Sequence, residues 1–193
     1  MAAALMIATG SAHARGADAP PATVAPSDVP ALVAKAKLQM SGEPAAALAT
    51  ATSAERMLQA QKADLQRVRS LAEVQWLKAE AYLRLNADAD AEPMIAQALG
   101  ALRSEHRETK LHGDLLISRG QLEVRQAKVP AALADFQQAH NIFRAVGETR
   151  SQAIALQYIA SLYREADDAA TAMKYDNQSA EIYKGDPRLE IYS

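Results

Sequence analysis

Apolar residues recur along this chain at three- and four-residue steps within stretches of about fifteen to twenty residues, the spacing of one buried helical face. Two such stretches, joined by a short turn, repeat about every 40 residues, the interval at which a stacked array of helix pairs is considered before any single-core fold. Placing Val129 to Phe143 over Ala169 to Tyr183 brings Ala132, Leu133, Ala139, Ile142 and Phe143 onto Ala172, Met173, Ser179, Ile182 and Tyr183. Further back, Ala132, Phe136, Ala139 and Phe143 fall on Ala91, Ile95, Ala98 and Leu102, and those fall on Ala47, Ala51, Ala54 and Leu58. Four units are visible. The pattern predicts an all-α chain, a right-handed solenoid of antiparallel helix pairs, with residues 28–193 forming four units and the start of a fifth.

Local signals set the expected ends. Ser27 or Asp28 can cap a first helix carrying Leu32, Val33 and Leu38, which stops near Ser41-Gly42. Pro44, Pro93 and Pro130 each read as a proline in the first turn of a second helix, where the missing N–H costs nothing. The long first helices are expected from about Ala63 to Leu85, Glu108 to Gln126 and Arg150 to Glu165. The second helices are expected to end near Leu102, Val146 and Lys184, with Gly147 and Gly185 in left-handed terminal positions. Asp186-Pro187 then starts a further helix bearing Leu189, Ile191 and Tyr192. A terminal repeat without a polar cap exposes the face its neighbour should cover, so the sequence is expected to be the N-terminal piece of a longer protein and to self-associate through that end.

The residues at the helix crossings give this pattern a family likeness. A small residue late in the first helix (Gly120, Ala160), an alanine opening the second (Ala132, Ala172) and a small residue further on (Ala139, Ser179) resemble tetratricopeptide repeats of the longer, roughly 40-residue variety. Arg150 to Asp186 is the best copy. Two departures stand out: Glu123 occupies a position where the family prefers an aromatic, and Asp176 stands where Phe136 stood one unit earlier. The resemblance implies a protein- or peptide-binding module whose concave groove is lined by first helices. By position it proposes Trp76, Glu80 and Arg84, then Ser118, Gln121 and Arg125, then Gln157, Ser161 and Arg164. An arginine ladder beside an aromatic would suit an extended peptide or its carboxylate.

Composition narrows the remaining classes. The chain has 21 basic and 23 acidic residues and a formal charge of −2, so it lacks the basic footprint of a nucleic-acid binder. It has no cysteine, which removes thiol chemistry, disulfides and cysteine-based zinc sites. The alternating acids Asp88, Asp90 and Glu92 imitate a calcium loop, but Pro93 and Leu99 stand where that loop needs glycine and glutamate, so a solvated turn with Asp90 as a helix cap is expected. His106 and His112 do not share a helical face. No phosphate-binding loop, nucleophile elbow or metalloprotease motif occurs, and no cofactor or catalytic residue is assigned.

Residues 1–14 are apolar and uncharged up to Ala12-His13-Ala14, a small-x-small pattern that a signal peptidase accepts, and residues 15–27 are rich in proline and alanine. An exported, periplasmic module behind a signal peptide and a flexible leader is therefore expected. An array of this kind could also be the extracytoplasmic sensory part of a membrane-tethered signalling enzyme, of the diguanylate cyclase or sensor kinase type. A cytosolic scaffold or chaperone adaptor is the reading if residues 1–14 are not a signal.

Overall fold

The computed structural model describes residues 28–103 and 109–185. They form α1 (Val29–Gln39), α2 (Pro44–Gln59), α3 (Leu65–Arg84), α4 (Asp88–Leu102), α5 (Lys110–Arg125), α6 (Val129–Val146), α7 (Thr149–Glu165) and α8 (Ala169–Gly185). Consecutive helices pack as hairpins, α1 on α2, α3 on α4, α5 on α6 and α7 on α8, and each pair packs on the next. Contacts of α1 with α3 and of α3 with α5 place first helices side by side along the inner face. The expected signal peptide, leader and fifth helix start, with His106, lie outside the described residues.

A single backbone device closes the last three pairs. Asn86, Ala127 and Asp167 each adopt a left-handed conformation, with φ of 56°, 58° and 58°. In each turn the next residue's N–H reaches back five residues, from Ala87 to Tyr82, Lys128 to Glu123 and Asp168 to Tyr163, at 2.8–2.9 Å. This is the six-to-one bond of a Schellman turn, made here without glycine. Asparagine and aspartate tolerate that conformation, whereas Ala127 bears about 1 kcal/mol of strain. Gly147, with φ of 75°, makes the same turn between α6 and α7.

The two largest fully buried side chains among the described residues lie between α5 and α6. The chain has two phenylalanines, Phe136 and Phe143, seven residues apart on α6 and each 1% exposed. Opposite them on α5 lie Gly113 and Gly120, also seven apart. A Cβ placed on Gly113 would sit 2.5 Å from the Phe143 ring, and one on Gly120 would fall inside contact distance of the Phe136 ring. Each ring therefore occupies a notch that only glycine leaves open, a knob-in-hole contact repeated over two turns. The preceding unit has smaller residues at the corresponding positions, Ala72 and Ala79 on α3 and Ile95 and Leu102 on α4, all buried in the same cluster. In the fourth unit alanines fill both notches. Asp176 replaces the phenylalanine and pairs with Arg164 at 2.6 Å, while Ser179 donates to the Ala153 carbonyl at 3.1 Å.

The core has two parts. One joins α1, α2 and one side of α3 through Val33, Ala51, Leu58, Val74 and Leu77. The other runs from the opposite side of α3, through Ala79 and Leu83, to α7. Trp76 packs against both.

Several local expectations need correction. Pro93 lies inside α4, which begins a turn earlier at Asp88, so this proline removes an interior N–H instead of opening the helix. Asp90 consequently sits in the first turn and makes no side-chain cap bond. Gly185 is the last residue of α8, and neither it nor Gly42 has a positive φ. Leu38 is 83% exposed, and α1 buries Val29, Val33 and Ala36 in its place.

Glycine-to-alanine substitutions should have opposite signs at two positions. Gly120→Ala overpacks against Phe136 and should cost about 1–3 kcal/mol, with partial recovery when Phe136→Leu is added. Gly100→Ala, in α4 with nothing within 4 Å of its Cβ position, should gain about 0.5–1 kcal/mol from helix propensity alone. Urea unfolding of the three variants checks the pair, and a Gly120→Ala protein as stable as the parent would remove the notch argument.

Candidate functional site

The first helices present aligned side chains at steps of three and four residues: Glu73, Trp76 and Glu80 on α3; Asp114, Ile117 and Gln121 on α5; Ser151, Ile154 and Tyr158 on α7. These stripes adjoin along the inner face and line two cavities that share Trp76 and Asp114. The larger, about 650 Å³, lies between α1, α3 and α5 and mixes Lys37, Arg69 and Lys110 with Glu73, Asp114 and Glu148. The smaller, about 220 Å³, lies between α3, α5 and α7 and is walled by Trp76, Glu80, Asp114, Gln121, Phe143 and Tyr158 among others.

A chain of polar contacts ties the units together across this face. Lys37 pairs with Glu73 at 2.7 Å, joining α1 to α3. The Trp76 indole N–H donates to Ser118 Oγ at 3.2 Å, and the Ser118 hydroxyl lies 2.6 Å from Glu80 Oε1, joining α3 to α5. Gln121 Nε2 donates to the Tyr158 hydroxyl at 2.9 Å, joining α5 to α7. The Tyr158 ring in turn stacks on Phe136, with centroids 5.1 Å apart.

Burial shapes the titration of these groups. Desolvation raises the Glu80 carboxyl above its usual range, opposed by the Ser118 hydrogen bond and by Arg84. Desolvation also raises Asp114, opposed by Lys110, whose ammonium lies 2.8 Å away. The Tyr158 phenol is pushed up by burial and by the nearby Glu80 charge.

Of the residues singled out in the sequence, Trp76, Glu80, Ser118 and Gln121 converge in this network. The arginines are each held in an ion pair. Arg84 is 3.9 Å from Glu80, Arg125 pairs with Asp88 at 2.9 Å, and Arg164 pairs with Asp176 at 2.6 Å. Gln157 is exposed, and the Ser161 hydroxyl donates to the Tyr158 carbonyl of its own helix at 2.7 Å. Sequence reasoning missed Asp114, one turn before Ser118, and Tyr158, beside Gln157. Shifting the stripe Glu73/Trp76/Glu80 forward by one repeat reaches Asp114, and by two reaches Tyr158.

A second buried polar group lies away from the groove. Arg119 holds Asp135 with two hydrogen bonds, 2.5 and 2.7 Å. Beside them Glu123, where the family prefers an aromatic, has Oε2 enclosed without a hydrogen-bond partner. Desolvation and the Asp135 charge raise its carboxyl, against the pull of Arg119.

These features define a helical-repeat array with a polar inner groove. Residues 113–185, from α5 to α8, match the family model described as tetratricopeptide repeat, and α1 to α4 continue the same paired architecture. No curated protein matches the chain. Tetratricopeptide repeats are in general non-catalytic protein-interaction modules. Among the described residues no helix is long and apolar enough to cross a membrane.

Glu123 gives a pH test. Its folded pKa lies above the unfolded one, so the folded state holds the proton more tightly, and stability is lost as pH rises from the unfolded value through the folded one. Glu123→Gln removes that charge. Its amide can donate to Asp135, and relief of one partly exposed, solvent-screened charge is worth about 1 kcal/mol at most. The variant should melt roughly 2–4 °C higher at pH 7 and show no such gain near pH 4. A destabilised variant at pH 7 would contradict the assignment.

Proposed function

We propose that this chain is a non-catalytic module that binds an extended segment of a protein partner along the inner face formed by α1, α3, α5 and α7. The observation that carries this reading is the pair of adjoining cavities, which share Trp76 and Asp114 and are lined mainly by first helices. An elongated groove walled by aromatic, amide and carboxylate side chains suits a peptide better than a compact small molecule. Peptides selected from a random twelve-residue library should shift the emission of Trp76, the only tryptophan. They should also lose affinity for Ser151→Tyr, which adds a ring at the wall of the smaller cavity. Binders that leave Trp76 emission unchanged and ignore Ser151→Tyr would place recognition on another face and refute the groove reading.

The module is further proposed to act outside the cytoplasm. The support is the small-x-small sequence Ala12-His13-Ala14 at the end of an uncharged apolar stretch. The exported product should begin near Arg15. N-terminal sequencing of protein made from its native start checks this, and a soluble cytoplasmic product retaining Met1 or Ala2 counts against export.

A further inference from the structure

The smaller cavity has a charge bias that the larger one lacks. Its walls carry two carboxylates, Glu80 and Asp114, and no lysine, arginine or histidine. Around them stand the rings of Trp76 and Tyr158, with Gln121 as a further polar group. Carboxylates beside aromatic faces recognise organic cations, because the charge pairs with the acid while the ring quadrupole attracts the same positive group. The chain supplies its own instances at the rim. The Lys37 ammonium lies 5.9 Å from the Trp76 ring, and that of Lys110 lies 5.8 Å from the ring of Phe143, another wall residue.

We propose that this cavity receives the ammonium or guanidinium end of one lysine or arginine side chain from a protein partner lying along the inner face. The inference rests on the groove reading above and narrows it to a ligand chemistry. At about 220 Å³ the cavity is smaller than the roughly 300–1,000 Å³ of small-molecule sites, a volume that suits a single long side chain. A partner carboxylate is disfavoured: it would meet Glu80 and Asp114, while Arg125 and Arg164 are paired with Asp88 and Asp176 and line no part of this cavity. Burial already disfavours the ionised form of both wall carboxyls, and an incoming cation offsets that cost. Lys110, 45% exposed, sits on Asp114 and can swing outward as the ligand enters.

The test uses the full chain and peptides selected by phage display for shifting Trp76 emission. Each is resynthesised with every lysine replaced by acetyl-lysine and every arginine by citrulline, one position at a time. Removing the charge at one position should weaken binding at least tenfold, and Glu80→Gln should weaken the parent peptide by a similar factor while leaving the neutral variant unaffected. Circular dichroism controls for folding of Glu80→Gln. If that variant misfolds, the comparison of charged and neutral peptides on the parent protein still decides the matter. Peptides that bind through Trp76 with equal affinity after neutralisation would overturn the cation pocket and leave the groove reading intact. If no peptide perturbs Trp76, both fall together.

Discussion

The architecture depends on how closely one helix of a pair can approach the other. In the third unit the approach is set by two glycines, Gly113 and Gly120, which open notches one heptad apart for the rings of Phe143 and Phe136. The rings key α5 to α6, and the order of the next unit follows from them. Phe136 supports Tyr158 by stacking, and Tyr158 accepts the hydrogen bond from Gln121. Side-chain packing between second and first helices thus fixes the polar groups that face the groove, although none of the notch residues except Phe143 touches it.

The inner face carries its polar groups at the seams between units. Lys37 with Glu73, Trp76 and Glu80 with Ser118, and Gln121 with Tyr158 each span a boundary between adjacent first helices. Nearest-neighbour coupling is what holds a solenoid together. Here the coupling and the candidate binding surface are partly the same atoms. A ligand that competes for Trp76 or Glu80 therefore also acts on the registry of α3 against α5.

Much of the fold was legible in the sequence because helix pairing writes a repeating apolar code. Ala91, Ile95, Ala98 and Leu102 are buried as the alignment with Phe136 and Phe143 implied. Pro93 misled because a proline opening a helix and one a turn further in look alike when only the flanking residues are read. In the groove, Trp76, Glu80, Ser118 and Gln121 share one polar network, whereas Arg125 and Arg164 turn to acids outside it. The arginines occupy equivalent positions, but the acids that engage Arg125 and Arg164 lie on other elements, Asp88 at the start of α4 and Asp176 on α8. Sequence spacing reports which face a residue shares. It does not report a partner brought in by the turn or by the next helix.

The fourth unit exchanges a ring in a glycine notch for an aspartate, a serine and a pair of stacked tyrosines, Tyr163 and Tyr175, whose centroids are 5.6 Å apart. Dispersion among many buried carbons gives way there to a few directional contacts, one buried at Ser179 and one exposed at Asp176. The two hairpins therefore bury different chemistry: α6 buries Phe136, Ile142 and Phe143 among others, whereas α8 buries Ala172 and Ser179. A substitution that changes side-chain volume should thus be felt more at the phenylalanine-keyed hairpin than at the last one, where small and polar groups meet.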